Sequence, residues 1–131
     1  MNSFRHRPSS LRVLYFGTQS SFSINPLLAL LKAKQHIVGI VLQELPLKHS
    51  LRSDQIALNT ITHTNDTIID YARKHGVPLW DLSTLPLTVK FDVLVVACFP
   101  NILSESLLNR AQYASVNIHP SKLPEYRGPA P

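Results

Sequence analysis

Leu11-Arg12-Val13-Leu14-Tyr15-Phe16-Gly17-Thr18 is the stretch on which the fold of this 131-residue chain turns. Apart from Arg12 the run is apolar and does not alternate, the pattern of a strand buried on both faces in a parallel sheet. Gly17-Thr18 ends it, and mostly small polar residues follow as far as Ser23. Pro26 is then expected to open a helix carrying Leu27, Leu28, Leu30 and Leu31, with Asn25 as its N-cap and its end near Gln35. Residues 37–42 form a second apolar strand. Strand, helix and strand in this order make a βαβ unit, half of a doubly wound fold.

Working outward, residues 43–65 hold neither helical nor alternating periodicity for long, and Pro46 interrupts them. A short helix or a mobile loop is expected there. Asp66 and Thr67 start a helix bearing Ile68, Ile69 and Ala72, and Gly76 ends it, with Arg73, Lys74 and His75 placed to suit the helix dipole. Val77-Pro78-Leu79-Trp80 reads as a short third strand, and residues 81–90 as a loop or broken helix. Val93-Leu94-Val95-Val96-Ala97 is the clearest buried strand. Ser104 caps a helix carrying Leu107 and Leu108, and residues 114–118 form the fifth strand.

The expected architecture is therefore α/β: a Rossmann-like parallel sheet in the order 3-2-1-4-5, with helices on both faces and right-handed crossovers. The reversal between strands 1 and 4 opens a crevice at the strands' carboxyl ends. Gly17-Thr18, residues 99–103 and Asn117 to His119 all fall at that edge. A dinucleotide site would carry Gly-x-Gly-x-x-Gly after the first strand, whereas Gly17 stands alone.

Composition sets the outer bounds. Hydrophobic residues at 44% and charged residues at 16% describe a soluble globular chain with enough length for one core. Residues 1–10 read as a flexible tail. No apolar run reaches membrane-spanning length, and no signal peptide is visible. The single Cys98 excludes an intrachain disulfide, fits a reducing, cytoplasmic setting, and is expected as a small core residue rather than a nucleophile. The net charge of +5 comes from bases scattered without a dense run, which describes a solvated basic surface. The six histidines show no metal-binding spacing.

The second decisive stretch is Asn117-Ile118-His119-Pro120-Ser121-Lys122-Leu123-Pro124-Glu125-Tyr126-Arg127-Gly128. Strand alternation puts Asn117 and His119 on one side, leading into a proline-stiffened loop. The pattern Asn-x-His-Pro-Ser-x-Leu-Pro-x-Tyr-Arg-Gly resembles the signature of the folate-dependent formyltransferases, nearest to the methionyl-tRNA formyltransferases and their relatives. The Gly17-Thr18 turn with Phe22 nearby is an approximate second match, one residue longer than the family pattern.

The resemblance implies transfer of a formyl group from 10-formyltetrahydrofolate to an amine. Attack on the formyl carbon places negative charge on its oxygen, so the site needs a hydrogen-bond donor and a group to handle the amine proton. Asn117 and His119 match two members of the family's Asn-His-Asp catalytic set. Ser121, Lys122, Leu123 and Pro124 match its folate-contacting loop, with Lys122 a departure from the usual residue. Phe99, Ile102 and Leu103 match the loop that forms part of the pterin pocket, with Pro100 where many relatives have Gly.

By the same resemblance, residues 11–131 read as the N-terminal part of the catalytic domain, truncated after strand 5 and lacking the later segment that carries the catalytic aspartate. Impaired transfer is the expectation; the alternative is a non-catalytic remnant or folate-binding module. The acceptor stays open among aminoacyl-tRNA, an amino sugar and a glycinamide nucleotide. Only Lys48, His49 and Arg52 represent the basic loop of tRNA-binding relatives. The fifth strand leaves an open edge, from which self-association is expected.

Overall fold

The computed structural model describes residues 8–43, 45, 67–119 and 125. Its elements are β1 (Arg12–Gly17), α1 (Ser21–Lys32), β2 (His36–Leu42), α2 (Ile68–His75), β3 (Leu79–Trp80), β4 (Val93–Ala97), α3 (Glu105–Leu108) and β5 (Ala114–Ile118). The strands form one five-stranded sheet in the order β3-β2-β1-β4-β5, with every pairing parallel. This is the doubly wound order expected from the sequence.

The lack of alternation in β1 has a direct cause, since the strand serves two cores. Val13 and Tyr15 pack with Leu27 of α1 and with Ile68 and Ala72 of α2. Leu14 and Phe16 point the other way, to Val41, Phe91, Leu94 and Leu107 of α3. Helices therefore cover both faces of the sheet.

The pairing of β1 with β2 slips once: Val13 faces Ile37 but Leu14 faces Gly39, which leaves Val38 as an extra residue. Gly39 lies under the Trp80 side chain of β3. A Cβ there would sit 2.1 Å from Trp80 Cζ3, so only glycine admits the ring.

The helix ends follow local chemistry. Thr67 and Asp70 form a reciprocal capping box at the start of α2, and Gly76 ends that helix in the left-handed conformation at φ 64°. Ser104 Oγ accepts from Leu107 N and caps α3. The start of α1 differs from expectation. Its N-cap is Ser20, not Asn25, and Pro26 lies inside the helix. The helix there gives up the bond Pro26 would have made to the carbonyl four residues back. Fully buried Leu27 and Ser23 anchor this first part of α1 to the sheet.

At the N-terminal end of the sheet, Arg12 Nη2 donates to Asp92 Oδ1 at 2.7 Å, and Arg12 N donates to Asp92 Oδ2 at 2.8 Å. These hydrogen bonds, led by the side-chain one, hold the Asp92 carboxyl below the usual carboxylate range against the opposing effect of its burial. Asp92 thus sits at the end of the sheet opposite the crevice. No helix among the described residues is long and apolar enough to cross a membrane.

Candidate functional site

The crevice is built from the carboxyl ends of three adjacent strands. Phe16 of β1 lies in register with Val96 of β4, and Val96 in register with Asn117 of β5. Residues in register across a parallel sheet share a face, so Asn117 stands on the Phe16 side. Asn117 is exposed and His119 is half-buried. Ile118 between them packs against the opposite core.

The loop after β4 crosses this same face. The Phe99 ring meets Phe16 edge-on, with centroids 5.2 Å apart and planes at 88°. Phe99 and Leu103 both pack against the core that holds Phe16. Ile102, between them, is 99% exposed and projects from the loop. Of the residues expected at the site, the structure thus places Phe99, Ile102 and Leu103 on the loop after β4, Asn117 near the carboxyl end of β5 and His119 just beyond it. Ser121, Lys122, Leu123 and Pro124 lie outside the described residues.

Cys98 corrects an expectation. It is exposed, not a core residue, and adopts a left-handed conformation at φ 60°. Strand β4 ends with buried Ala97, and the chain turns sharply at Cys98. A non-glycine residue in that region costs on the order of 1–3 kcal/mol and persists only where the surroundings enforce it.

What enforces it was not legible as a motif. Ser23, fully buried on α1, donates from Oγ to the Ala97 carbonyl at 2.6 Å and accepts from Thr18 N at 2.9 Å. Its own carbonyl accepts from Tyr15 OH at 2.5 Å. Burial pushes the Tyr15 phenol well above its ordinary pKa, so it stays a donor. Gly17 is glycine for the same reason of space: a Cβ there would come 3.1 Å from Ser23 Oγ and 3.2 Å from Tyr15 Cε1. In the sequence Ser23 is one of several small polar residues after Gly17, ahead of the helix start expected at Pro26, so nothing marked it as an anchor.

Two cavities of about 270 and 300 Å³ lie beside α1 and α2, sharing Leu31, Tyr71 and His75 in their walls. Neither is lined by the crevice residues.

The parallel order β3-β2-β1-β4-β5, with helices on both faces, defines the class: a doubly wound α/β domain. Residues 11–131 match the sequence profile of the formyl transferase family, and the chain belongs to that family. It is similar to the methionyl-tRNA formyltransferase of Thermosynechococcus vestitus, at 31% identity over 131 residues, covering 92% of this chain and 37% of the relative. The Bacillus subtilis methionyl-tRNA formyltransferase is 31% identical over 128 residues, with 92% and 37% covered. The mitochondrial methionyl-tRNA formyltransferase of Rattus norvegicus is 32% identical over 120 residues, with 92% and 29% covered. The chain thus spans well under half the length of these relatives.

Proposed function

We propose that the crevice binds 10-formyltetrahydrofolate and serves transfer of its formyl group to an amine. The observation that carries this reading is the register Phe16–Val96–Asn117, which sets a carboxamide on the face where Phe99 packs. The residues suit such a donor. Phe99 and Leu103 offer apolar surface, exposed Ile102 offers more, and Asn117 offers a neutral hydrogen-bond donor. When bound, the folate supplies an activated formyl carbon.

The Asn117 carboxamide donates to the formyl oxygen as negative charge develops there, and His119 takes the proton from the attacking amine and passes it to the folate nitrogen that leaves as its bond to the formyl carbon breaks. Phe99, Ile102 and Leu103 hold the pterin, and Ser121, Lys122, Leu123 and Pro124 contact the folate beyond it. Methionyl-tRNA is the acceptor suggested by the relatives' names, and an amino sugar is the competing amine. The lone Cys98 favours a reducing, cytoplasmic setting.

A second reading is a folate-binding module without turnover, which the apolar loop of Phe99, Ile102 and Leu103 would serve by itself. Formyl transfer from 10-formyltetrahydrofolate to a panel of amines, run beside calorimetry of folate binding, separates the two. Transfer that falls about 10²–10³-fold in Asn117→Ala supports catalysis. Binding without transfer supports the module, and no binding at all would overturn both.

A further inference from the structure

The β1–β4 pairing ends at Phe16 and Val96. Beyond it the two strands diverge into the turns that form the crevice, Gly17-Thr18 on one side and Ala97-Cys98 on the other. One atom bridges the gap: Ser23 Oγ accepts from Thr18 N at 2.9 Å and donates to Ala97 O at 2.6 Å. We propose that Ser23 is the positioning residue of the crevice, joining these turns beyond the end of the ladder and so fixing where Phe99, Ile102 and Leu103 stand. The consequence for ligand rests on the folate reading above; the geometry of the turn does not.

The two bonds have complementary effects. The bond to Ala97 O restrains the peptide immediately before Cys98, the residue at φ 60°. A carbonyl held from inside the protein keeps the left-handed turn from relaxing. The bond from Thr18 N fixes the opposite wall to the same oxygen. Ser23 is fully buried, so water does not compete for either bond. Gly17 lets the wall approach, since a Cβ there would lie 3.1 Å from the same hydroxyl. An alanine at position 23 would keep the helix and the packing while deleting the bridge.

The test uses the full chain, with Cys98 as a built-in reporter because it is the single cysteine and is exposed. Ser23→Ala is expected to raise the N-ethylmaleimide reaction rate of Cys98 several-fold and to weaken binding of 5-formyltetrahydrofolate about tenfold. Both are measured at a temperature where each protein is fully folded. Asp92→Asn, at the far end of the sheet, serves as the control that lowers thermal stability while leaving both readouts at wild-type values. Gly17→Ala, which crowds the hydroxyl without deleting it, is expected to shift both readouts in the same direction and covers the case in which Ser23→Ala fails to fold.

An unchanged thiol rate in the folded variants would overturn the positioning role whatever the folate result. So would wild-type folate affinity in those variants. A wild-type chain that binds no folate would remove the folate reading and leave the thiol rate to decide the role of Ser23.

Discussion

Arg12 and Asp92 join the first residue of β1 to the residue before β4 through four hydrogen bonds: three to the Asp92 carboxylate, of 2.7, 2.8 and 3.2 Å, and one from Asp92 N to Arg12 O at 2.8 Å. Asp92 is nearly fully buried, and its two oxygens are both used by the same arginine. Because the folded carboxyl titrates below its unfolded value, the pair stabilises at pH above the unfolded pKa of about 3.9 and loses that contribution as pH falls through the folded value. Asp92→Asn should cost about 2 kcal/mol at neutral pH, with the gap to wild type closing below about pH 4. Urea melts at stepped pH check this. A gap that stayed constant into the acid range would show that the charge on Asp92 contributes nothing.

Gly39 and Trp80 provide a packing test. Gly39→Ala places a methyl group where Trp80 Cζ3 now lies, so the ring must move. A loss of about 1–3 kcal/mol is expected from the overpacking. Trp80 is the single tryptophan, so its emission reports the displacement directly and should shift to the red. Unchanged emission with unchanged stability would mean the β-bulge at Val38 absorbs the methyl.

The caps of α2 are separable. Thr67→Ala removes the capping box and should cost about 1 kcal/mol. Gly76→Ala meets no atom within 4 Å, so its cost is backbone strain alone, about 1 kcal/mol. The two positions flank the helix without touching, and their effects should add in the double variant, as measured by denaturant melts. Strong non-additivity would indicate that α2 unfolds as a unit before the rest of the domain.

The edge at β5 predicts association. Val116 is 46% exposed and Tyr113 is 47% exposed, and the strand carries no charge. An uncharged, exposed edge strand is a template for pairing with another chain. Sedimentation velocity should show concentration-dependent self-association that Val116→Lys reduces. A monomer at all concentrations, indifferent to the substitution, would show that this edge is protected.

The strand order was legible because β1, β4 and β2 are apolar on both faces, which only a sheet covered on both sides explains. The caps at Thr67, Gly76 and Ser104 were legible because capping depends on residues only a few positions apart. The start of α1 was not, because the preference for proline at a helix start outweighed a serine-rich turn whose anchor, Ser23, bonds a carbonyl 74 residues away. Cys98 was misplaced for a related reason: a left-handed turn at a cysteine leaves no local mark. At the site, Asn117 and His119 were visible as a motif, whereas the hydroxyl that sets the crevice walls was not.

The central position of β1 also shapes how the molecule is made. β1 pairs with β2 after a single helix, yet its other neighbour, β4, begins some 80 residues further on, the separation bridged by Arg12 and Asp92. During synthesis the first strand–helix–strand unit can collapse early, but one side of β1 keeps its backbone groups unpaired until β4 leaves the ribosome. Such distant parallel pairing makes folding slow, on the order of milliseconds to seconds, and exposes the nascent chain to wrong partners. The same ion pair that steadies the finished sheet therefore also marks the last closure of its centre.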